Sequence, residues 1–247
     1  MPRCKLTIEY DGTPYAGWQR QDGVASVQQS IEEAIARFYN LSERVPIQCA
    51  GRTDAGVHAI GQVAHVDLPE HRPEYSIEQG ISQHLGDEPI VIRKAEWVED
   101  DFNARFHAKK RYYRYIISNR RARLALDVKR KWQVGEALDA EKMHEAAQLL
   151  TGTHDFSSFR DSQCQSKSPI KSIDAIRVSR QGDEIITDLE AISFLHHQVR
   201  IIMGSLRRIG NGKWNITDLE NALAAKSRAA AGETAPPYGL YFMKVDY

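Results

Sequence analysis

Between Gly51 and Gly56 the chain carries Arg52-Thr53-Asp54-Ala55, then Val57-His58, so a guanidinium and a carboxylate sit two residues apart in a short polar loop. In extended backbone such residues point to the same side, where the cation could pair with the acid and keep it ionised. An ionised carboxylate presented in this way can act as a nucleophile or a base. A purely structural Arg–Asp turn would have the same composition.

A second cue lies in Phe194-Leu195-His196-His197-Gln198-Val199-Arg200-Ile201-Ile202-Met203-Gly204-Ser205-Leu206. Val199, Ile202, Met203 and Leu206 form a helical apolar stripe, and Arg200 among them needs an anionic partner. Arg207 falls on nearly the same face, which suits either a phosphate-facing edge or a structural ion pair. The third cue is charge. The 33 basic and 33 acidic residues cancel, yet residues 105–131 hold eleven Lys or Arg and one acid, Asp127, while residues 67–101 hold ten acids and three bases. Tyr112, Tyr113 and Tyr115 are interleaved with the basic block, a composition that holds phosphates and stacks bases. A solvated basic strand pair fits the same pattern.

Other chemistries find less support. His58, His65 and His71 have no cysteine or paired acid at ligand spacing, and His65, between Ala64 and Val66, reads as a surface or satisfied core histidine. His196 and His197, if helical, diverge by about 100° and do not chelate as an i, i+4 pair would. A dinucleotide-binding Gly-x-Gly-x-x-Gly, a phosphate-loop lysine and a nucleophile-elbow serine are all missing, which disfavours cofactor-dependent redox and phosphoryl transfer. Cys4, Cys49 and Cys164, odd in number and far apart, form neither a disulfide framework nor a zinc pattern.

The elements that must position these residues alternate between two periods. Leu6, Ile8 and Tyr10 alternate with polar residues as in a half-buried strand, broken by Asp11-Gly12-Thr13-Pro14. Ser26 with Gln29 predicts a capped helix whose stripe is Val27, Ile31, Ala34, Ile35 and Phe38. Further strands are expected over 47–50, 62–68, 90–98, 112–117, 170–179, 184–193 and 240–245, and further helices over 76–85, 139–150, 195–209 and 218–226. Consecutive strands mixed with helices point to an α+β fold instead of a doubly wound sheet. With 42% apolar and 27% charged residues the composition is that of a globular chain. The absence of a long apolar run predicts neither a membrane helix nor a secretory leader, and a reduced, cytoplasmic protein is expected.

The octapeptide from Gly51 to His58 has company. Glu9-Tyr10-Asp11-Gly12, Gly17-Trp18-Gln19-Arg20-Gln21, Asp101-Phe102-Asn103-Ala104-Arg105-Phe106, Tyr113-Arg114-Tyr115, His154-Asp155-Phe156, Ser158-Phe159-Arg160, the 194–206 stretch and Gly239-Leu240-Tyr241 flank it along nearly the whole chain. In this order they resemble the tRNA pseudouridine synthases of the TruA type, whose active-site motif the octapeptide matches. Gln198, where Met is common, and the additional Tyr112 depart from the pattern without touching the expected chemistry.

The resemblance implies isomerisation of uridine to pseudouridine at tRNA positions 38, 39 and 40, by a homodimer using no metal or cofactor. It implies the pseudouridine-synthase α+β fold: two similarly built halves, residues 1–105 and 106–247, with largely antiparallel sheets flanking a central cleft. Asp54 would begin the reaction, by attack on C1′ or removal of the 2′ proton, and Arg200 would pair with it. Tyr113 would stack on the target base, Leu240 would pack on its other side, and Arg52 would help hold the nucleotide out of its helix. Lys109, Lys110, Arg111 and Arg114 would bind backbone phosphates. A non-catalytic protein binding structured RNA on the same fold is the alternative, and it would have no need of Asp54.

Arg200 yields a test. Truncation to Ala should lower activity severely, with partial recovery as pH rises, because an unpaired, desolvated acid ionises at higher pH. Arg200→Lys keeps the charge without the fork and should be intermediate. A folded Ala variant with near-normal activity and an unmoved acid limb in its pH–rate profile would make Arg200 structural.

Overall fold

The computed structural model describes residues 1–247. Leu6, Ile8 and Tyr10 are buried on one side of the first strand, β1 (Arg3–Tyr10), as their alternation requires. Next come α1 (Val27–Phe38), β2 (Gln48–Cys49), β3 (His58–Asp67), α2 (Glu74–Leu85) and β4 (Ile90–Val98). The chain continues through β5 (Lys110–Ser118), β6 (Trp132–Gln133), α3 (Ala140–Ala147), β7 (Gly152–Asp155), β8 (Ile170–Gln181) and β9 (Glu184–Ala191). It ends with α4 (Gln198–Gly210), α5 (Ile216–Ala224) and β10 (Leu240–Asp246). Contacts group these into two units, Met1–Lys109 with Tyr241–Tyr247, and Lys110–Leu240. The first unit therefore runs past residue 105 and takes back the end of the chain.

In the first unit β1 lies between β4 and β3, antiparallel to both, and β2 pairs antiparallel with β3. Tyr241 and Phe242 of β10 pair in parallel with His58 and Ala59 of β3. Ser26 caps α1 by accepting from the Gln29 N–H at 3.3 Å, and Val27, Ile31, Ala34 and Ile35 are buried, with Phe38 at the margin. The Gln29 side chain does not close a capping box; it donates to Glu33. Glu32, buried on the same helix, accepts from the Ile47 N–H at 3.1 Å and from Gln28, and Arg44 pairs with it at 2.7 Å. That carboxylate fixes the chain just before β2, and so the entry to the Gly51–His58 loop.

In the second unit the strand order is β5-β9-β8-β7, antiparallel throughout, with the short β6 added in parallel to β5. Asp139 caps α3 by accepting from Lys142 N–H at 3.0 Å, but the α-helix ends at Ala147 and tightens into a 3-10 turn over Gln148–Leu150. Asn215 and Asp218 close a capping box, so α5 begins two residues before Asp218, the expected start, and ends at Ala224 instead of Lys226. Both units mix helices with antiparallel strands, and the α+β expectation stands.

The helix bearing Arg200 begins later than its pattern suggested. His197 takes a left-handed backbone, φ 60°, so α4 starts at Gln198 and both histidines precede it. Their rings lie 3.9 Å apart instead of diverging, and the His197 Nδ1 meets Asp161 at 2.7 Å. A tetrapeptide at residues 232–235 lies along α4: Gly232 N–H donates to Ser205 Oγ at 2.9 Å, and Ala235 N–H to the Arg200 carbonyl at 3.0 Å. Glycine at 204 makes this possible, since a β-carbon there would stand 1.8 Å from the Glu233 carbonyl oxygen. Gly204→Ala should therefore destabilise the protein by about 1–3 kcal/mol or more, as overpacking does. Urea unfolding of the purified variant measures this; an unchanged midpoint would show that the segment shifts freely.

Candidate active site

The first unit builds the octapeptide loop from below. Tyr10, at the end of β1, is buried, and its hydroxyl lies 2.7 Å from Thr53 Oγ1. Gln62, buried on β3, donates to the Gly51 carbonyl at 2.7 Å. Gly12 N–H donates to the Nδ1 of buried His58 at 3.0 Å, and the His58 ring stacks on Tyr241 at 4.8 Å. His58 is thus a satisfied core residue. So is His65, whose Nδ1 accepts from Ala104 N–H at 3.1 Å while burial, aided by Arg3, holds its pKa below the ordinary value.

The loop is also clamped along its backbone. Trp18 N–H donates to the Thr53 carbonyl at 3.0 Å, Gly17 bridges to Asp54, and Val57 N–H closes a turn onto the Asp54 carbonyl at 3.1 Å. Gly17 has φ 109°, and a β-carbon on it would come 2.7 Å from the Thr53 oxygen, so only glycine lets the two segments touch. Asp54 is half-buried on this pinned turn and Arg52 is exposed. The two do not form an ion pair, so the pairing that their spacing allowed is not made. Burial pushes the nearby Cys49 thiol up to about 12, against the charges of Arg52 and Arg105, so the thiol stays protonated beside the loop.

The second unit carries the other expected site residues. Along β5, Arg111, Tyr113, Tyr115 and Ile117 share the buried face, and Lys110, Tyr112 and Arg114 the opposite one. Tyr113 meets Phe194 edge-on at 5.2 Å. The Arg200 Nε donates to the Ala235 carbonyl at 2.8 Å, which orients the half-buried guanidinium. Leu240 is buried, following Gly239, which packs on the Tyr115 ring.

The basic run is not the single phosphate patch that composition suggested. Arg114 pairs with Asp188 through two hydrogen bonds, at 2.7 and 3.0 Å, directly across the β5–β9 ladder. Lys110 lies 3.1 Å from Asp174 and 3.5 Å from Glu190. Arg111 is buried and donates to the Ile192 carbonyl. Lys109 is exposed and belongs to the first unit. Arg207 is held between Glu136 and Glu233, a structural ion pair and not a phosphate-facing edge. Arg121 and Arg123, in the same run, are exposed with no acid paired to them; only the run itself could have drawn attention to them.

Comparison with known proteins places these residues in a family. The model of the family described as tRNA pseudouridine synthase matches residues 6–107 and 146–247. Among curated relatives, the tRNA pseudouridine synthase A of Afipia carboxidovorans is 52% identical over 247 residues, all of both chains. That of Rhodopseudomonas palustris is 53% identical over the same extent. That of Brucella ovis is 52% identical, covering all of this chain and 98% of its own.

The clamp beneath Asp54 can be tested at Thr53. Thr53→Ser retains the hydroxyl that meets Tyr10 and should keep most of the turnover. Thr53→Val, equal in shape, removes one of the buried phenol's hydrogen-bond partners, at a cost of about 1 kcal/mol. Turnover in the folded Val variant should fall at least tenfold; equal rates in the two variants would remove the hydroxyl pair from the loop's support.

Proposed function

The chain belongs to the tRNA pseudouridine synthase family, an isomerase family acting on tRNA, and we propose that its targets are uridines 38, 39 and 40 of the anticodon stem-loop, with Asp54 starting the reaction. The observation that carries the assignment is the clamped turn: Asp54 is bridged by Gly17, supported through Thr53 by Tyr10 and Trp18, and half-buried. A reacting group held by its backbone in this way reaches its target with little left to order.

The reaction breaks the bond from uracil N1 to C1′ of the ribose, turns the base while it is held, and joins C5 to C1′, with a proton lost from C5 and one gained at N1. Asp54 begins it by attacking C1′ or by taking the 2′ proton. Water must be kept out, because a glycosidase that admits it would release the base. Tyr113 and Leu240 serve to hold the base, Arg52 and Arg200 to hold the nucleotide and the charge. Lys109 binds phosphate, and Arg121 and Arg123 are better suited to that task than the paired Lys110, Arg111 and Arg114. No helix of the chain is long and apolar enough to cross a membrane. A cytoplasmic setting and a homodimer complete the proposal.

Asp54→Asn keeps the shape of the side chain while removing its charge and basicity. With unmodified tRNA transcript, this variant should form no pseudouridine and should bind with nearly unchanged affinity, since phosphate contacts dominate that affinity. Substantial turnover by the pure variant would remove Asp54 from the chemistry. Free uracil in place of pseudouridine from the unaltered protein would overturn the isomerase reading.

A further inference from the structure

One aromatic ring in the first unit is displayed, not buried. Of the seven phenylalanines, Phe106 alone is exposed, with 76% of its surface open. The Arg105 guanidinium lies over the same ring, 5.5 Å from its centre. The loop that carries them is tightly built. Asn103 Oδ1 accepts from both the Arg105 and Phe106 N–H groups at 3.0 Å, and His107 N–H donates to the Asn103 carbonyl at 3.0 Å. Ala104, fully buried, donates to His65 and accepts from the Tyr247 hydroxyl at 2.9 Å. Arg3 donates to the Phe102 carbonyl at 2.9 Å. An exposed apolar ring on a fixed knuckle loses little entropy on capture by a partner.

Its position in the unit is equally defined. Ala104 hangs on His65, which pairs across the sheet with Gln48, and Cys49 pairs with Ala64. The knuckle is therefore attached to β3 beside the two residues of β2 that lead into the Asp54 loop. The charges of Arg52 and Arg105 are both felt at the Cys49 thiol, where they oppose the rise that burial causes. Residues 102–126 contain no acid.

We propose that Arg105 and Phe106 form a nucleotide-binding subsite beside the Asp54 loop, the Phe106 ring stacking on an unpaired base of the RNA and Arg105 holding an adjoining phosphate. The proposal rests on the tRNA substrate named above, and RNA is the partner that fits. Every base offers a flat face to an aromatic ring, and a guanidinium beside that ring suits the phosphate a nucleotide brings with it. A second copy of the chain would need an apolar face around the ring, whereas its sequence neighbours are Arg105, His107 and Lys109.

The test compares wild type with Phe106→Ala, Phe106→Trp and Arg105→Ala, measuring binding of unmodified tRNA transcript across a salt series, thermal midpoint and sedimentation. Because the ring is exposed, the Phe106 variants should melt with wild type. Phe106→Ala should bind roughly 5- to 100-fold more weakly at every salt concentration, with the salt slope unchanged. Phe106→Trp should bind as wild type, and its added indole emission should be quenched by tRNA. Arg105→Ala should lower the slope by about one phosphate contact. Wild-type affinity in Phe106→Ala, or an unquenched indole in Phe106→Trp, would overturn the stacking role. Loss of self-association in Phe106→Ala would overturn it in favour of a contact between copies. Failure of the Asp54 assignment would show separately, as turnover by Asp54→Asn, and would leave these binding results standing.

Discussion

Everything proposed for Asp54 depends on two stretches of backbone lying closer together than side chains permit. The segment after β1 touches the Thr53–Val57 turn at Gly17, where the absence of a β-carbon lets the Trp18 N–H reach the Thr53 carbonyl. Backbone bonds of this kind leave no rotamers to choose among, so the turn is specified by chain path and not by side-chain fit. Tyr10, Gln62 and Glu32 then hold the same loop from its floor and its entry. The buried phenol remains protonated because desolvation raises its pKa far above the ordinary value, so it supports the loop as a neutral group.

Charge is organised on a different principle. Local sequence suggested a basic block free to meet phosphates. Across the ladder, though, Arg114 stands opposite Asp188, and Lys110 has Glu190 and Asp174 within reach. These part-exposed pairs contribute little to stability, but they make the β5–β9 face nearly neutral. Exposed loop cations that can meet a polyanion include Arg52, Arg105, Lys109, Arg121 and Arg123.

How much of this was legible beforehand follows from where the partners lie. Strand and helix positions were readable because they rest on neighbours one to four residues away: the alternation of β1, the Ser26 cap, the stripe of α1. The octapeptide was readable as a motif. The fate of Arg207 and Arg114 was not, since Glu136, Glu233 and Asp188 come from distant segments. Nor was the start of α4, because the apolar period continues through Leu195 while a single left-handed residue, His197, stops the helix. Phe106 looked like part of a motif; only its exposure distinguishes it from the chain's other phenylalanines.

The return of the chain's end to the first unit also sets an order of events during synthesis. Lys110–Leu240 is an unbroken stretch of chain. The earlier-made Met1–Lys109 segment is not complete, because β3 lacks its parallel neighbour until Tyr241 and Phe242 arrive, and Lys109 N–H waits for the Asp246 carbonyl. For most of translation, then, the unit made first presents an unpaired strand edge, a template on which nascent chains aggregate. The part of the molecule that holds Asp54 is finished only when β10 arrives, so loss of that strand would forfeit support for a loop far from it in sequence.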